Sequence, residues 1–326
     1  MNSEEMIQRI EELKSVKQEL LEQIRKSIVG QDQVVEKVLI GLFANGHMLV
    51  EGVPGLAKTL LISTIAKALN LSFGRIQFTP DLMPSDITGS DILVSQSGGE
   101  GREFQYIKGP IFANIILADE INRTPPKTQA ALLQAMQEYH VSSGNKTRPL
   151  DLPFIVMATQ NPIEQEGTYP LPEAQLDRFM LYIAIDYPSY AEELKIVQTT
   201  TGALSGVPRA LLSATEIIAY QAAIRSMPLS DHVLEYAVKL ARSTRPSDPS
   251  IKPQIKKWIN WGAGPRASQY LVLAAKARAA LDGRVTPAEE DVRAVALPVL
   301  THRVLVSFAA EAEGVRPEDI IARILE

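Results

Sequence analysis

The stretch Gly52-Val53-Pro54-Gly55-Leu56-Ala57-Lys58-Thr59 constrains this chain more than any other, because of what flanks it. The apolar run from His47 to Glu51 reads as a buried strand, and the segment from Lys58 to Leu69 reads as a helix. A glycine- and proline-rich turn between such a strand and helix gathers its backbone N–H groups around one small volume, and the helix N-terminus adds partial positive charge. Such a loop suits phosphates. The Lys58 ammonium would reach the β- and γ-phosphates, the Thr59 hydroxyl would take a Mg²⁺ position, and Leu60 would carry the helix onward. The general pattern has glycine immediately before the lysine; Ala57 fits there if its backbone is ordinarily helical. Taken alone, the loop would also suit a plain strand-to-helix turn.

A second feature narrows the choice. Ile115 to Ala118 is a short apolar strand that ends in Asp119 and Glu120. A buried strand beside the loop would place Asp119 where it can hold Mg²⁺ through water, and Glu120 where it can polarise an attacking water. Read alone, the pair would equally cap the helix expected near Pro125. A third strand, Phe154 to Ala158, ends in Thr159-Gln160-Asn161-Pro162, which offers the Asn161 amide at a neighbouring tip. Leu181 to Ile185 is a further strand. Strands alternating with helices from Ile28 to about Pro188 predict an α/β fold, a P-loop parallel sheet with helices on both faces. Two segments depart from that plan. Ile92–Ser97 and Arg102–Ile107 flank Ser97-Gly98-Gly99-Glu100-Gly101, and Tyr139–Ser143 and Thr147–Leu152 flank Gly144-Asn145; both read as inserted β-hairpins.

After about Thr201 the pattern is helical throughout, over Thr215–Met227, Asp231–Arg245, Arg266–Leu281, Pro287–Leu297 and Pro317–Leu325. Thr286-Pro287-Ala288-Glu289 supplies a capping box for the fourth of these. The expected organisation is an amphipathic helix over 1–27, a nucleotide-binding α/β domain over 28–201 and an all-helical lid over 202–326, with the boundary near Gly202, Gly206 and Pro208. The first helix carries Met6, Ile10, Leu13, Leu20 and Ile24 on one stripe interrupted by Lys17, which suits packing on the chain itself or on a partner.

Composition excludes several chemistries. With no cysteine there is no disulfide, thiolate metal site or cysteine nucleophile, and the 4 histidines are scattered. A net charge of −5 argues against a protein that coats nucleic acid. The charged N-terminus and short apolar runs predict no leader peptide and no membrane span, hence a cytoplasmic protein.

Val29-Gly30-Gln31, GVPGLAKT, LADEINR, ATQNP, LPEAQLDRF and GAGPRAS together resemble the AAA+ ATPases, specifically the MoxR branch, from about Ile28 to the C-terminus. The resemblance implies ATP and Mg²⁺ as cofactors, with Val29 and Gly30 bordering the adenine and Asn161 as the sensor-1 residue. It implies that Arg178 is an arginine finger reaching a neighbouring subunit's nucleotide. It implies that Arg266 is the sensor-2 arginine, which together with Lys58 would supply charge within one subunit and tether the lid to the γ-phosphate. Without the resemblance, Arg178 would suit an ion pair with Glu173 or Asp177, and Arg266 an ordinary first turn of a helix. Arg123 is a further interface candidate. The family likeness also implies a homo-oligomeric ring of six and hairpins facing its pore. Its expected clients are proteins to be remodelled, among them proteins with von Willebrand factor A domains. A nucleic-acid motor and a slowly hydrolysing binding module are the competing readings; Lys146, Arg148, Arg102 and Lys108 in the hairpins are offset by Glu100, Glu103 and Asp151.

Overall fold

The computed structural model describes residues 2–95, 102–143, 146–163, 167–202, 206, 208–249 and 251–326. The first part of the chain runs α1 (Ser3–Arg25), α2 (Asp32–Phe43), β1 (Met48–Glu51), α3 (Lys58–Ala68), β2 (Phe73–Gln77), α4 (Pro84–Thr88), β3 (Gly89–Ser95) and β4 (Arg102–Lys108). It continues through β5 (Ile115–Asp119), α5 (Pro126–Glu138), β6 (His140–Ser143), β7 (Lys146–Pro149), β8 (Ile155–Gln160), α6 (Glu173–Leu176), β9 (Leu181–Ala184) and α7 (Tyr190–Thr200).

The central sheet has five strands in the order β2-β5-β8-β1-β9, all parallel. Its strands are apolar along their whole length because both faces are covered. Met48, Val50, Ile115, Leu117, Ile155 and Met157 face α1, α2, α3 and the C-terminal helices. Leu49, Ile116, Ala118, Val156 and Ala158 alternate with them and face α5. The strand β2 has no counterpart among the strands that the sequence pattern predicts. It is an edge strand, and of its five residues only Ile76 is buried, so FGRIQ carries little apolar signal.

Both inserted hairpins are present as separate two-stranded sheets, β3 with β4 and β6 with β7. Their expected turns, around Gly98–Gly101 and at Gly144-Asn145, lie outside the described residues, as does part of the 202–208 boundary loop.

The C-terminal part comprises α8 (Ala214–Ser226), α9 (Asp231–Arg242), α10 (Pro253–Trp258), β10 (Ile259–Trp261), α11 (Pro265–Leu281), α12 (Glu289–Leu300), β11 (Leu305–Val306), α13 (Phe308–Ala312) and α14 (Pro317–Leu325). It is not purely helical: β10 and β11 form a small antiparallel pair too short to read from periodicity. The fourth helix starts two residues later than its capping pattern indicates. Ala288 is the N-cap, and its N–H donates to Asp291 Oδ2 at 2.8 Å. The first helix packs on its own chain, burying Met6, Ile10, Leu13, Leu20 and Ile24. Lys17 fills the gap in that stripe by pairing with Glu36 of α2 at 3.1 Å and with Asp282 after α11 at 3.0 Å.

Candidate active site

The loop after β1 and the tips of β5 and β8 meet at the carboxyl end of the sheet, where parallel strands leave room for a ligand. They line a cavity of about 340 Å³ bounded by residues 54–59, Asp119, Glu120 and residues 159–161. Lys58 Nζ donates to the carbonyls of Gly52 and Val53, the latter at 3.1 Å. Burial holds its ammonium below the ordinary lysine value, against the opposing pull of Asp119, Glu120 and Glu51. Thr59 lines the same cavity, whereas Leu60 is exposed and does not.

Ala57 does not have the ordinary helical backbone that its methyl group suggests. It sits at φ 53° and ψ 29°, the left-handed region that glycine adopts freely, and serves as N-cap of α3. Holding alanine there costs about 1–2 kcal/mol, which the surrounding loop must offset.

Asp119 and Glu120 are held by side chains whose role the sequence motifs do not reveal. Thr159 Oγ1 donates to Asp119 Oδ1 at 2.7 Å and accepts the Glu120 N–H at 2.9 Å. Glu120 itself is left-handed, at φ 56° and ψ 50°. On the neighbouring edge strand, Arg75 donates to Asp119 Oδ2 at 2.7 Å and to Gln77 Oε1 at 2.7 Å. Gln77 Nε2 in turn donates to Glu120 Oε2 at 3.2 Å. The parallel register that sets Gln77 opposite Asp119 places all four side chains together. Recognising Arg75 and Gln77 requires knowing that β2 pairs with β5. Arg123, an interface candidate by sequence, lies 3.2 Å from Glu120 Oε2 of its own chain.

Asn161 is buried at the tip of β8. Its Oδ1 accepts the Ile163 N–H at 3.2 Å, while its Nδ2 is buried without a hydrogen-bond partner. A buried unpaired donor is costly. It fits a cavity that receives an acceptor, so loop, carboxylates and amide together suit a nucleoside triphosphate. Val29 and Gly30 do not line this cavity. A Cβ placed on Gly30 would meet Glu192 of α7.

Arg178 and Arg266 sit elsewhere. The Met180 N–H donates to the His47 carbonyl, so residues 178–180 lie at the amino end of β1, a strand that advances about 13 Å before the phosphate loop begins. Arg178 Nη1 donates to the Leu133 carbonyl of α5 at 2.9 Å. Arg266 Nη1 pairs with Asp177 at 3.0 Å. Both guanidinium groups border one cavity of about 100 Å³ beside His47 and Tyr270. Within this chain Arg266 therefore sits near the amino end of β1, beside Asp177 and His47, and not at the phosphate loop that it is expected to reach. A wider cleft of about 560 Å³ lies between α6 and the β10–β11 pair, lined by Glu173, Asp177, residues 260–264, His302 and Arg303, and it contains neither Lys58 nor the Asp119–Glu120 pair.

A parallel sheet whose phosphate loop faces paired carboxylates across an intervening strand tip defines a P-loop nucleoside triphosphatase. Residues 47–181 match the ATPase family associated with various cellular activities, and residues 254–324 match the AAA lid domain. The chain is 44% identical over 304 residues to the chaperone MoxR1 of Mycobacterium tuberculosis, covering 93% of this chain and 79% of that one. It is 33% identical to the protein MoxR of Methylorubrum extorquens, covering 93% and 92%. A crystal structure from Cytophaga hutchinsonii, described as a candidate ATPase, superimposes with a TM-score of 0.89 at 41% identity, covering 98% and 96% of the two chains. The chain belongs to the MoxR family of AAA+ ATPases.

Proposed function

We propose that the protein hydrolyses ATP to ADP and phosphate with Mg²⁺, at sites shared between copies of the chain, and couples turnover to remodelling of partner proteins. The observation that carries this reading is the convergence of Lys58, Thr59, Asp119, Glu120 and the unpaired Asn161 amide on one cavity. Lys58 and the loop amides grip the phosphates. Mg²⁺, when bound, offsets the charge of the phosphate oxygens; Thr59 and, through water, Asp119 would hold it. Glu120 orients and polarises the attacking water, and Asn161 donates to the γ-phosphate or to that water. Val29 and Gly30 border the adenine at the edge nearest α7.

The placement of Arg178 and Arg266 supports sharing between copies. Neither reaches its own phosphate loop, yet two cations at one edge suit an anion brought by a neighbour. A head-to-tail contact that sets this edge against the next copy's loop is heterologous, and closing it makes a ring; six is the number that the family suggests. An arginine supplied in this way is worth roughly 10³ to 10⁵ in rate in GTPases. In this machine residues 28–201 form the nucleotide-binding core and 202–326 the lid.

The hairpins favour protein clients over nucleic acid. They expose Ile92, Leu93, Phe104 and Ile107, while Arg148 stacks on Tyr106 at 3.5 Å and pairs with Asp91 at 3.4 Å. Proteins with von Willebrand factor A domains are the client class that the family suggests. The test is Glu120→Gln. It keeps ATP binding, lowers phosphate release on the order of 10²-fold or more, and retains clients in an ATP-dependent pull-down. Wild-type hydrolysis by that variant would refute the assignment.

A further inference from the structure

We infer that the lid of each protomer sets the arginine which that protomer offers to its neighbour, with Arg303 and Tyr270 as the positioning residues. The inference rests on the shared-site reading and adds to it the device that aims Arg178.

Residues 177–180 run between α6 and β9 as a short irregular segment, and a lid side chain donates to every one of their carbonyls. Arg303 Nη2 donates to Asp177 O at 2.9 Å and to Phe179 O at 2.6 Å, and its Nη1 reaches Met180 O at 3.4 Å. The Tyr270 hydroxyl donates to Arg178 O at 3.3 Å. The Arg303 Nε pairs with Asp177 Oδ1 at 2.8 Å, and its Nη1 also reaches the Val299 carbonyl of α12 and, at 2.7 Å, His302 Nε2, which itself lies 2.9 Å from Phe179 O. All the donors of this guanidinium are therefore directed, from a side chain only 2% exposed. Arg266, also on the lid, holds the other Asp177 oxygen. Burying a guanidinium is costly unless it is fully hydrogen-bonded. Here that bonding is directed at the backbone on either side of Arg178, where Phe179 and Met180 are themselves buried in the core.

Mechanically, no described lid side chain lines its own copy's phosphate cavity, while several hold the segment offered to the next copy's. A shift of α11 or of the Arg303 turn moves the Arg178 backbone directly. A change of lid position in one protomer thus reads out as a change of rate in the neighbour's site, because small misplacements of a charge-stabilising group are expensive in the transition state.

The experiment uses the full-length assembled protein. Tyr270→Phe removes one hydroxyl and should lower kcat about three- to tenfold. Arg303→Lys removes the planar fork and should lower kcat on the order of 10²-fold. In both, KM for ATP and nucleotide affinity should stay at wild-type values, since each chain's own loop is untouched; should Arg303→Lys fail to fold, Tyr270→Phe alone decides. Each variant is then mixed with Lys58→Ala, which cannot use its own site but offers an intact Arg178. Recovery of hydrolysis in the mixture supports the inference. It is overturned if these variants retain full kcat, or if they do not recover although Arg178→Ala mixed with Lys58→Ala does. If that last pair also fails to recover, the shared-site reading itself falls.

Discussion

Replacing Thr159 with valine keeps the shape of the side chain and removes one oxygen, at a position only 1% exposed. That oxygen has two partners: it accepts the Glu120 N–H and donates to Asp119 Oδ1. Leaving a buried N–H unpaired costs about 1–3 kcal/mol, and a hydrogen bond to a charged group is worth about 1.5–3 kcal/mol. Glu120 is held in a left-handed backbone conformation that the first of these bonds helps to fix. Without it the peptide is free to relax toward an ordinary conformation, carrying the carboxylate off line. If about half of the loss is felt in the transition state, some 1.3–3 kcal/mol, kcat falls roughly 10- to 150-fold. Phosphate release at saturating Mg·ATP and protein, with nucleotide affinity measured separately, reads this directly. Affinity should change far less than kcat, because the loop proposed to grip the phosphates follows another strand. Thr159→Ser retains both bonds and should stay within about threefold of wild type. A valine variant with wild-type kcat, or a serine variant as slow as valine, would refute the reasoning.

Ala57→Gly should leave urea stability within about 1 kcal/mol of wild type, because relief of the left-handed strain is balanced by the greater freedom of glycine when unfolded. Ala57→Val should cost at least about 1–2 kcal/mol, since a β-branched residue tolerates φ 53° poorly; equal stabilities for the two would contradict the backbone geometry. Stability should also fall with acid. His47 is buried with Nδ1 accepting the Val156 N–H and Nε2 donating to the Met136 carbonyl, and burial pushes its pKa from 6.5 down to about 4. Because the folded pKa is depressed, only the unfolded chain takes up this proton between those values. The stabilisation is therefore complete above about pH 6.5 and shrinks toward pH 4, by up to about 3 kcal/mol; His47→Gln should flatten that part of the denaturation-versus-pH curve. Finally, Arg75→Ala frees Asp119 from a half-exposed cation and should raise apparent affinity for Mg²⁺ with nucleotide by about two- to tenfold; weaker binding in titration calorimetry would show that Arg75 supports the site.

The parts of the fold that were legible in the sequence are those encoded by contiguous residues. The strand before Gly52, the loop to Thr59 and the strand ending at Asp119 each carry their pattern within a few positions. Met6, Ile10, Leu13, Leu20 and Ile24 likewise announced a buried helical face. What was not legible depends on pairing across the chain. Arg75 and Gln77 acquire meaning only from the register of β2 on β5, and β2 has too little apolar alternation to announce itself. Arg266 has a helix start on one side and Asp177 on the other, and only the docking of the lid decides which end of the sheet it faces. Ala57 misled in a different way: alanine favours right-handed helix, and the surrounding loop overrides that preference.

The Lys17 ammonium, placed between Glu36 on the sheet side and Asp282 at the end of a lid helix, works as a rivet through a splint. The long first helix is fastened to both halves of the chain, so the lid of each copy would shift against its core by small amounts rather than swing free. Motion would then be concentrated at the joints between copies, where nucleotides are proposed to sit, and a circle built from such stiff segments would transmit force around its circumference rather than absorb it within any one of them.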